Sequence, residues 1–119
     1  MARKKKSYPS DKDVSLRITY RNGLPYVNMI FRNGSGNLVS EGKSFVATFV
    51  DNNRIYFAGN ESNAGATKIG HINKNLDYTL TCSADKDLIG WVKHHSDNYD
   101  LEYDWEIKMF YIEARENSL

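Results

Sequence analysis

The chain has 119 residues, with 16 Lys and Arg against 15 Asp and Glu, and therefore a formal net charge of +1. This length accommodates one domain that buries its own core, and it excludes a two-domain enzyme. The single cysteine, Cys82, excludes a disulfide scaffold. No apolar run approaches the roughly 20 residues that cross a bilayer, so we expect a cytoplasmic protein with no membrane partner.

Charge is divided unevenly along the chain. Residues 1–60 carry ten Lys and Arg and four Asp and Glu, whereas residues 61–119 carry six and eleven. We therefore expect residues 1–12 to form a flexible basic arm, ahead of a single globular domain over residues 13–119. Such asymmetry indicates the choice of partner and not the fold.

The first element predicted is a β-hairpin. Apolar and polar residues alternate strictly from Val14 to Arg21, which is the period of a half-buried strand, and Asn22-Gly23 is a strong hairpin signal. A two-residue turn there creates three apolar cross-strand pairs on one face. The expected pairs are Val14 with Phe31, Leu16 with Met29, and Ile18 with Val27. The other face then carries Arg17 beside Asn28, Thr19 beside Tyr26, Arg21 beside Leu24, and Asp13 beside Arg32.

A second hairpin is predicted around Asn52-Asn53, with Val50 opposite Ile55 and Asp51 opposite Arg54. Both of its faces are apolar, so we expect it to be the most buried hairpin. Residues 33–37 predict a flexible connection, residues 38–43 are too short to assign, and residues 59–70 predict a long loop.

The rest of the chain predicts one strand, one helix and a third hairpin. Alternation over residues 76–83 gives the strand, and Asp85 can cap a short helix that buries Leu88, Ile89, Val92 and Trp91. A turn at residues 104–106 would place Tyr99, Leu101 and Tyr103 opposite Tyr111, Met109 and Ile107. The expected fold is α+β and mostly β, a small antiparallel sheet or partly open barrel of three hairpins, a lone strand and one short helix.

No motif with catalytic or metal-ligating spacing is present. Cys82 could act as a nucleophile beside His94 or His95, but it lies on the apolar side of its strand, which favours a buried structural thiol. The three histidines and Cys82 lack the paired spacing of zinc sites. The sequence therefore predicts a non-catalytic protein with no cofactor.

Two basic features favour contact with nucleic acid. Arg3, Lys4, Lys5 and Lys6 resemble an arm that contacts phosphates. The outer face of the first hairpin adds cations for phosphates, an amide for base edges and an aromatic ring for stacking. The predicted nucleic-acid-binding residues of that face are Arg17, Arg21, Tyr26, Asn28 and Arg32. The competing interpretation is a solvated face whose basic residues protect a sheet edge.

An acidic hairpin favours a different partner. Acidic side chains spaced along an exposed strand can engage a basic groove on another protein, with a tryptophan at the tip as anchor. The predicted protein-binding residues are Asp100, Glu102, Asp104, Trp105 and Glu106. The same surface could bind the basic half of a second copy and form a head-to-tail homo-oligomer, or it could simply prevent aggregation.

The sequence thus predicts a small binding protein whose preferred partner is DNA or RNA. The alternative is an inhibitor or modulator that binds a host protein of the nucleic-acid machinery. Asn occurs twelve times, beside many Lys and Tyr. This usage is typical of A/T-rich genomes and favours an accessory protein of a phage or mobile element.

Residues 41–57 resemble the strand, acidic turn and second strand of AbrB-type swapped-hairpin transcription factors. The proline-containing hinge of that family is absent from this chain. Neither the fold of that family nor its DNA contacts are therefore expected here.

Overall fold

The computed structural model describes residues 12–62, 66–68, 70–71, 78–82, 86–95 and 98–114. Within these ranges it contains ten strands and two helices. The strands are β1 (Val14–Arg21), β2 (Leu24–Phe31), β3 (Phe45–Asp51), β4 (Arg54–Asn60), β5 (Thr67–Lys68), β6 (Gly70–His71), β7 (Tyr78–Cys82), β8 (Asn98–Tyr99), β9 (Glu102–Asp104) and β10 (Met109–Glu113). The helices are α1 (Ser35–Ser40) and α2 (Lys86–His95).

The described strands form two antiparallel sheets of five strands each. The first sheet has the order β6-β7-β2-β1-β8, and the second has the order β5-β3-β4-β10-β9. The predicted class, α+β and mostly β, is confirmed. The structure divides the strands between two open sheets and adds a second helix to the one predicted.

The first hairpin adopts the predicted register. Asn22 has φ 53° and Gly23 has φ 79°, the two positive values that a type I′ turn requires. The apolar cross-strand pairs are Val14 with Phe31, Leu16 with Met29, and Ile18 with Val27. The apolar face is not buried all the way to the turn. Tyr20 lies on this face next to the turn and is 66% exposed.

The second hairpin also has its predicted register, with Val50 opposite Ile55 and Asp51 opposite Arg54. Asn52 has φ 58° at the turn. The expectation that both faces are covered is wrong. Val46, Ile55 and Phe57 are buried, but Phe49 on the opposite face is 43% exposed and stacks on Tyr56, so the outer face of this sheet is partly open.

Helix α1 begins within residues 33–37, which were predicted as a flexible connection, and continues into residues 38–43, which the sequence left unassigned. Gly34, with φ 80°, turns the chain into the helix, and Glu41 ends it with φ 54°. The helix bridges the two sheets through close backbone contacts, since Gly36 lies against Tyr78 of β7 and Ser40 lies against Gly59 of β4. Six residues produce too little periodicity to reveal such a helix in the sequence.

The core lies between the inner faces of the two sheets. Phe31 of the first sheet meets Phe57 of the second edge to face, with ring centroids 5.4 Å apart. Helix α2 adds Leu88, Trp91 and Val92 to the same cluster, as its apolar stripe predicts. Its predicted cap, Asp85, lies outside the described residues.

Cys82 is buried on the inner face of β7, as predicted. The strand over residues 78–82 is likewise confirmed. Residues 59–70 are not wholly a loop, because β4 continues to Asn60 and β5 pairs with β3.

The third hairpin has a different register from the one predicted. Tyr103 faces Phe110, and Asp104 faces Met109, so the turn is longer than three residues. Lys108 supplies the left-handed residue, with φ 59°, and its N–H donates to the carbonyl of Asp104 at 2.7 Å. Tyr99 does not belong to this hairpin, because β8 pairs with β1 in the other sheet.

We expect Gly59→Ala to destabilise the fold by about 2 kcal/mol or more, because its new Cβ would lie 2.1 Å from the Ser40 carbonyl oxygen and the backbone must shift. Gly90→Ala in α2 is the matched control, since its Cβ meets nothing within 4 Å and alanine favours a helix by up to about 1 kcal/mol. Urea unfolding measures both. Equal stability of the two variants would contradict the close contact between α1 and β4.

Candidate nucleic-acid interface

The first sheet turns one face toward solvent, and the hairpin register determines which side chains lie there. We call this the basic face, defined by Arg17 and Arg21 of β1 and by Tyr26 and Asn28 of β2. Arg17 and Arg21 are exposed, whereas Tyr26 and Asn28 are half-buried. The structure thus brings four of the five predicted hairpin residues together on one surface.

Polar side chains continue across the basic face onto β7. Arg17 lies opposite Asn28, and Asn28 lies opposite Thr81. The Thr81 hydroxyl donates to the Asn28 Oδ1 atom at 3.1 Å, which orients the amide and leaves its nitrogen as the donor end. Arg17, Asn28 and Thr81 thus form one cross-strand row that combines a cation, an amide and a hydroxyl.

An aromatic ring lies between the two arginine positions. Tyr26 pairs with Thr19, one row from Arg17 and one row from Arg21. The Arg21 guanidinium lies 5.8 Å from the centre of the Tyr26 ring, within the range of a cation–π contact. The contact holds one cation beside a surface suitable for stacking.

Among the described residues, no salt bridge joins a carboxylate to Arg17 or Arg21 of the basic face. Over residues 13–31 and 78–82, the one acidic residue is Asp13. Its carboxylate accepts the backbone N–H of Leu101 at 3.0 Å, which ties it to the connection between β8 and β9. Arg17 and Arg21 therefore project from a surface that attracts anions.

Arg32 differs from the other predicted contacts. Its backbone N–H donates to the carbonyl of Asp13 at 2.7 Å, which extends the hairpin ladder as the register predicts. Its side chain is half-buried, and Nη1 is enclosed without a partner among the described residues. It is thus less accessible to a ligand. The predicted contacts Arg3, Lys4, Lys5 and Lys6 lie outside the described residues.

Four of the five predicted protein-binding residues are exposed in the structure. Trp105 is 80% exposed at the turn, and Asp100, Glu102 and Glu106 are also exposed. Lys12 pairs with Asp100 at 3.3 Å, between two solvent-accessible groups. Surface pairs of this kind contribute little to stability.

Asp104 is engaged inside the protein and is not a free contact for a partner. Its Oδ2 atom lies 3.0 Å from Arg54 Nη1, and it also accepts the Tyr56 hydroxyl at 3.2 Å. Arg54 in turn pairs with Glu113 at 2.9 Å and lies 4.1 Å above the centre of the Tyr111 ring. This cluster links β4, β9 and β10.

The environment of this cluster shifts the pKa of three of its members, Arg54, Asp104 and Tyr111. The hydrogen bond with Tyr56 is the largest cause that raises the pKa of Arg54. Burial by itself raises the pKa of Asp104, but the opposing contributions, led by hydrogen bonds from the backbone N–H groups of Ile107 and Glu106, together lower that pKa overall. The Tyr56 hydroxyl and the Arg54 charge add to the lowering. Burial and the Glu102 charge raise the pKa of Tyr111, so its hydroxyl stays protonated at neutral pH.

Sequence reasoning missed this cluster because its members come from distant segments. Arg54 and Asp104 are 50 residues apart, and the third hairpin was predicted in another register. The pairing of Asp51 with Arg54 was the one available signal, since it placed Arg54 at the start of β4.

Among the described residues, no group of three or more His, Cys, Asp or Glu side chains is arranged to hold a metal ion. None of the described helices is long and apolar enough to cross a membrane. Comparison with protein-family models, with curated proteins and with solved structures finds no match for the chain. The resemblance to AbrB-type factors therefore receives no support.

The Arg54 cluster should make stability depend on acid pH. A pKa lowered by folding contributes stability above the unfolded-state pKa, about 3.9 for aspartate, and this contribution is lost as pH falls through the lower folded-state value. Asp104→Asn should have a lower urea midpoint than the parent at neutral pH, and the difference should vanish in acid. Glu106→Gln, on the same turn, is the control. A difference that persists below about pH 2 would contradict a charge-based role.

Proposed function

We propose that the protein binds nucleic acid through the basic face, with no catalytic role. The observation that carries the proposal is the hairpin register, which places Arg17, Arg21 and Tyr26 on one open surface while Asp13 is occupied by the backbone of Leu101. The basic residues of the arm, Arg3 to Lys6, would extend the contact along the phosphates.

The spacing on this face suits a nucleic-acid strand. Arg21 follows Arg17 by four positions on β1, which corresponds to roughly 13 Å along a strand. The two guanidinium groups would therefore contact different phosphates. Tyr26 lies between their rows and offers a ring on which any base can stack, so the interaction needs no particular sequence.

The near-neutral net charge of +1 limits how strong this binding becomes. Each phosphate that a cation neutralises releases condensed counterions, so affinity for a single strand falls with salt by roughly 0.7 powers per contact. The four cations of the arm together with Arg17 and Arg21 therefore predict a moderate affinity that falls steeply with salt. Asn28 contributes its amide as a donor to base edges or sugar oxygens.

Arg17→Ala together with Arg21→Ala should weaken binding and reduce the slope of log affinity against log salt by roughly 1.4, because each phosphate contact on a single strand contributes about 0.7. Fluorescence anisotropy with a labelled oligothymidine of about 20 nucleotides, titrated at several salt concentrations, measures both effects. Lys93→Ala with Lys108→Ala removes the same charge from exposed sites elsewhere. An equal loss in this control variant would show non-specific attraction, and the basic face would then have no special role.

A second candidate function is supported by the exposed indole of Trp105. Trp105 is 80% exposed, and its ring meets the Tyr103 ring edge to face, with ring centroids 4.7 Å apart. Ile107 on the same turn is 48% exposed, and Glu102 and Glu106 are exposed carboxylates of the same hairpin. An aromatic anchor on an acidic hairpin matches a basic protein surface, which a second copy of this chain also offers.

Trp105→Ala combined with Glu102→Gln should abolish such protein association while leaving oligonucleotide affinity unchanged. Chemical crosslinking followed by sedimentation velocity detects association with a second copy or with a host protein. The matched control is Leu38→Ala with Glu41→Gln, another exposed apolar and acidic pair in the chain. If association survives in the Trp105 variant, the acidic hairpin is not the contact surface.

A further inference from the structure

Asn28 of the basic face and Thr81 of β7 form a hydrogen-bonded pair that still has one donor and one acceptor to offer. The Thr81 hydroxyl proton is directed at the Asn28 Oδ1 atom, at 3.1 Å. The Thr81 oxygen keeps lone pairs that can accept a hydrogen bond, and the Asn28 Nδ2 atom keeps hydrogens that can donate one. The pair therefore presents a donor and an acceptor side by side.

The Asn28 amide nitrogen can be reached from solvent. Asn28 and Thr81 are half-buried on the outer face of the first sheet. Their immediate neighbours along both strands are buried in the core, namely Val27, Met29, Leu80 and Cys82. The Nδ2 atom donates to no described group, and it is not one of the polar atoms that the described residues enclose without a partner. A ligand on the basic face can thus accept a hydrogen bond from it.

A cation lies beside this pair. Arg17 is opposite Asn28 on one side, and Thr81 is opposite Asn28 on the other. Neighbouring strands lie roughly 4.8 Å apart, so the row spans roughly 10 Å from Arg17 to Thr81. Arg17 is exposed, and none of the salt bridges among the described residues includes it. A phosphate held by Arg17 would place the attached sugar over Asn28 and Thr81.

The hydrogen-bonding groups of this row match ribose. The 2′-hydroxyl of RNA is both a donor and an acceptor, and DNA lacks it. A 2′-hydroxyl that accepts from Asn28 Nδ2 and donates to Thr81 Oγ1 satisfies both protein groups at once. Every ribonucleotide carries this hydroxyl, whereas base edges differ from one nucleotide to the next. Recognition of the sugar therefore suits a face whose phosphate and stacking contacts are also independent of sequence.

We propose that the strand bound on the basic face is RNA, and that Asn28 and Thr81 together recognise a ribose 2′-hydroxyl. Arg17 binds the phosphate beside that sugar, and Tyr26, two residues from Asn28 on the same face, stacks on a base. This inference rests on the proposed function and adds to it the class of nucleic acid.

Fluorescence anisotropy with single strands of about 20 nucleotides tests the proposal. Oligouridine and oligodeoxyuridine carry the same bases and differ at the 2′ position. We expect oligouridine to bind roughly fivefold tighter or more, because each hydrogen bond contributes roughly a factor of 2–10. A 2′-fluoro oligouridine cannot donate from this position and should bind as the deoxy strand does.

The outcomes separate this inference from the proposed function. Equal affinity for oligouridine and oligodeoxyuridine, or tighter binding of the deoxy strand, would overturn the assignment to RNA and leave nucleic-acid binding in place. A 2′-fluoro strand that binds as tightly as oligouridine would overturn the contact to Thr81. Binding of none of the three strands would overturn both proposals.

Thr81→Val removes the acceptor with little change in side-chain shape, and it should bring the ratio of oligouridine to oligodeoxyuridine affinity to about one. Thr79→Val is the matched control, because Thr79 lies on the same face of β7, opposite Ile30 and away from Asn28. This control should keep the parent ratio. Asn28→Leu removes the donor and should also bring the ratio to about one. A parent ratio retained in both Thr81→Val and Asn28→Leu, each shown to be folded by circular dichroism, would refute the assignment.

Discussion

The type I′ turn at Asn22 and Gly23 is the constraint on which the rest of the structure depends. Two consecutive positive φ angles fix the turn, and the turn fixes the pairing of all eight residues of β1 with β2. A shift of one residue would exchange the two faces, so that Arg17 entered the core and Leu16 entered solvent. The apolar core and the basic face therefore have a common origin in a single pair of residues.

Packing between the sheets reinforces this constraint. Phe31, held by the register of β2, meets Phe57 of the second sheet, and Val39 of α1 is buried in the same cluster. The close approach of Gly59 to Ser40 then fixes how α1 lies against β4. Because protein interiors are packed at crystal-like density, a slip in the first hairpin would disturb contacts far from the turn.

Local signals predicted the parts of the fold that local physics determines. Strict alternation with a two-residue turn predicted the first hairpin, a two-residue turn between two apolar runs predicted the second, and apolar periodicity predicted α2. The register of the third hairpin could not be predicted in this way. Its turn uses Lys108 in a left-handed conformation that lysine rarely adopts, supported by hydrogen bonds to the Asp104 carboxylate from Glu106 and Ile107.

The candidate sites also differ in whether local sequence or tertiary contacts determine them. The basic face follows from one hairpin, so the sequence predicted its members directly, apart from the enclosure of Arg32. Asp104 was predicted to face a partner, yet it binds Arg54, because an ion pair between segments 50 residues apart leaves no periodic trace in the sequence.

The outermost strands have a consequence for how copies of this chain behave when crowded. In the described part of the molecule, each sheet ends in strands of two or three residues, namely β5, β6, β8 and β9. These short strands cover little of the strands beside them, because β8 pairs only with Val14 and Ser15 of β1, and β5 pairs only with Phe45 and Val46 of β3. Beyond those pairs, no described strand covers the outer edges of β1 and β3, which are the places where an approaching chain can add a strand. The exposed charges of Arg17 and Arg21 on β1 oppose such edge-to-edge pairing.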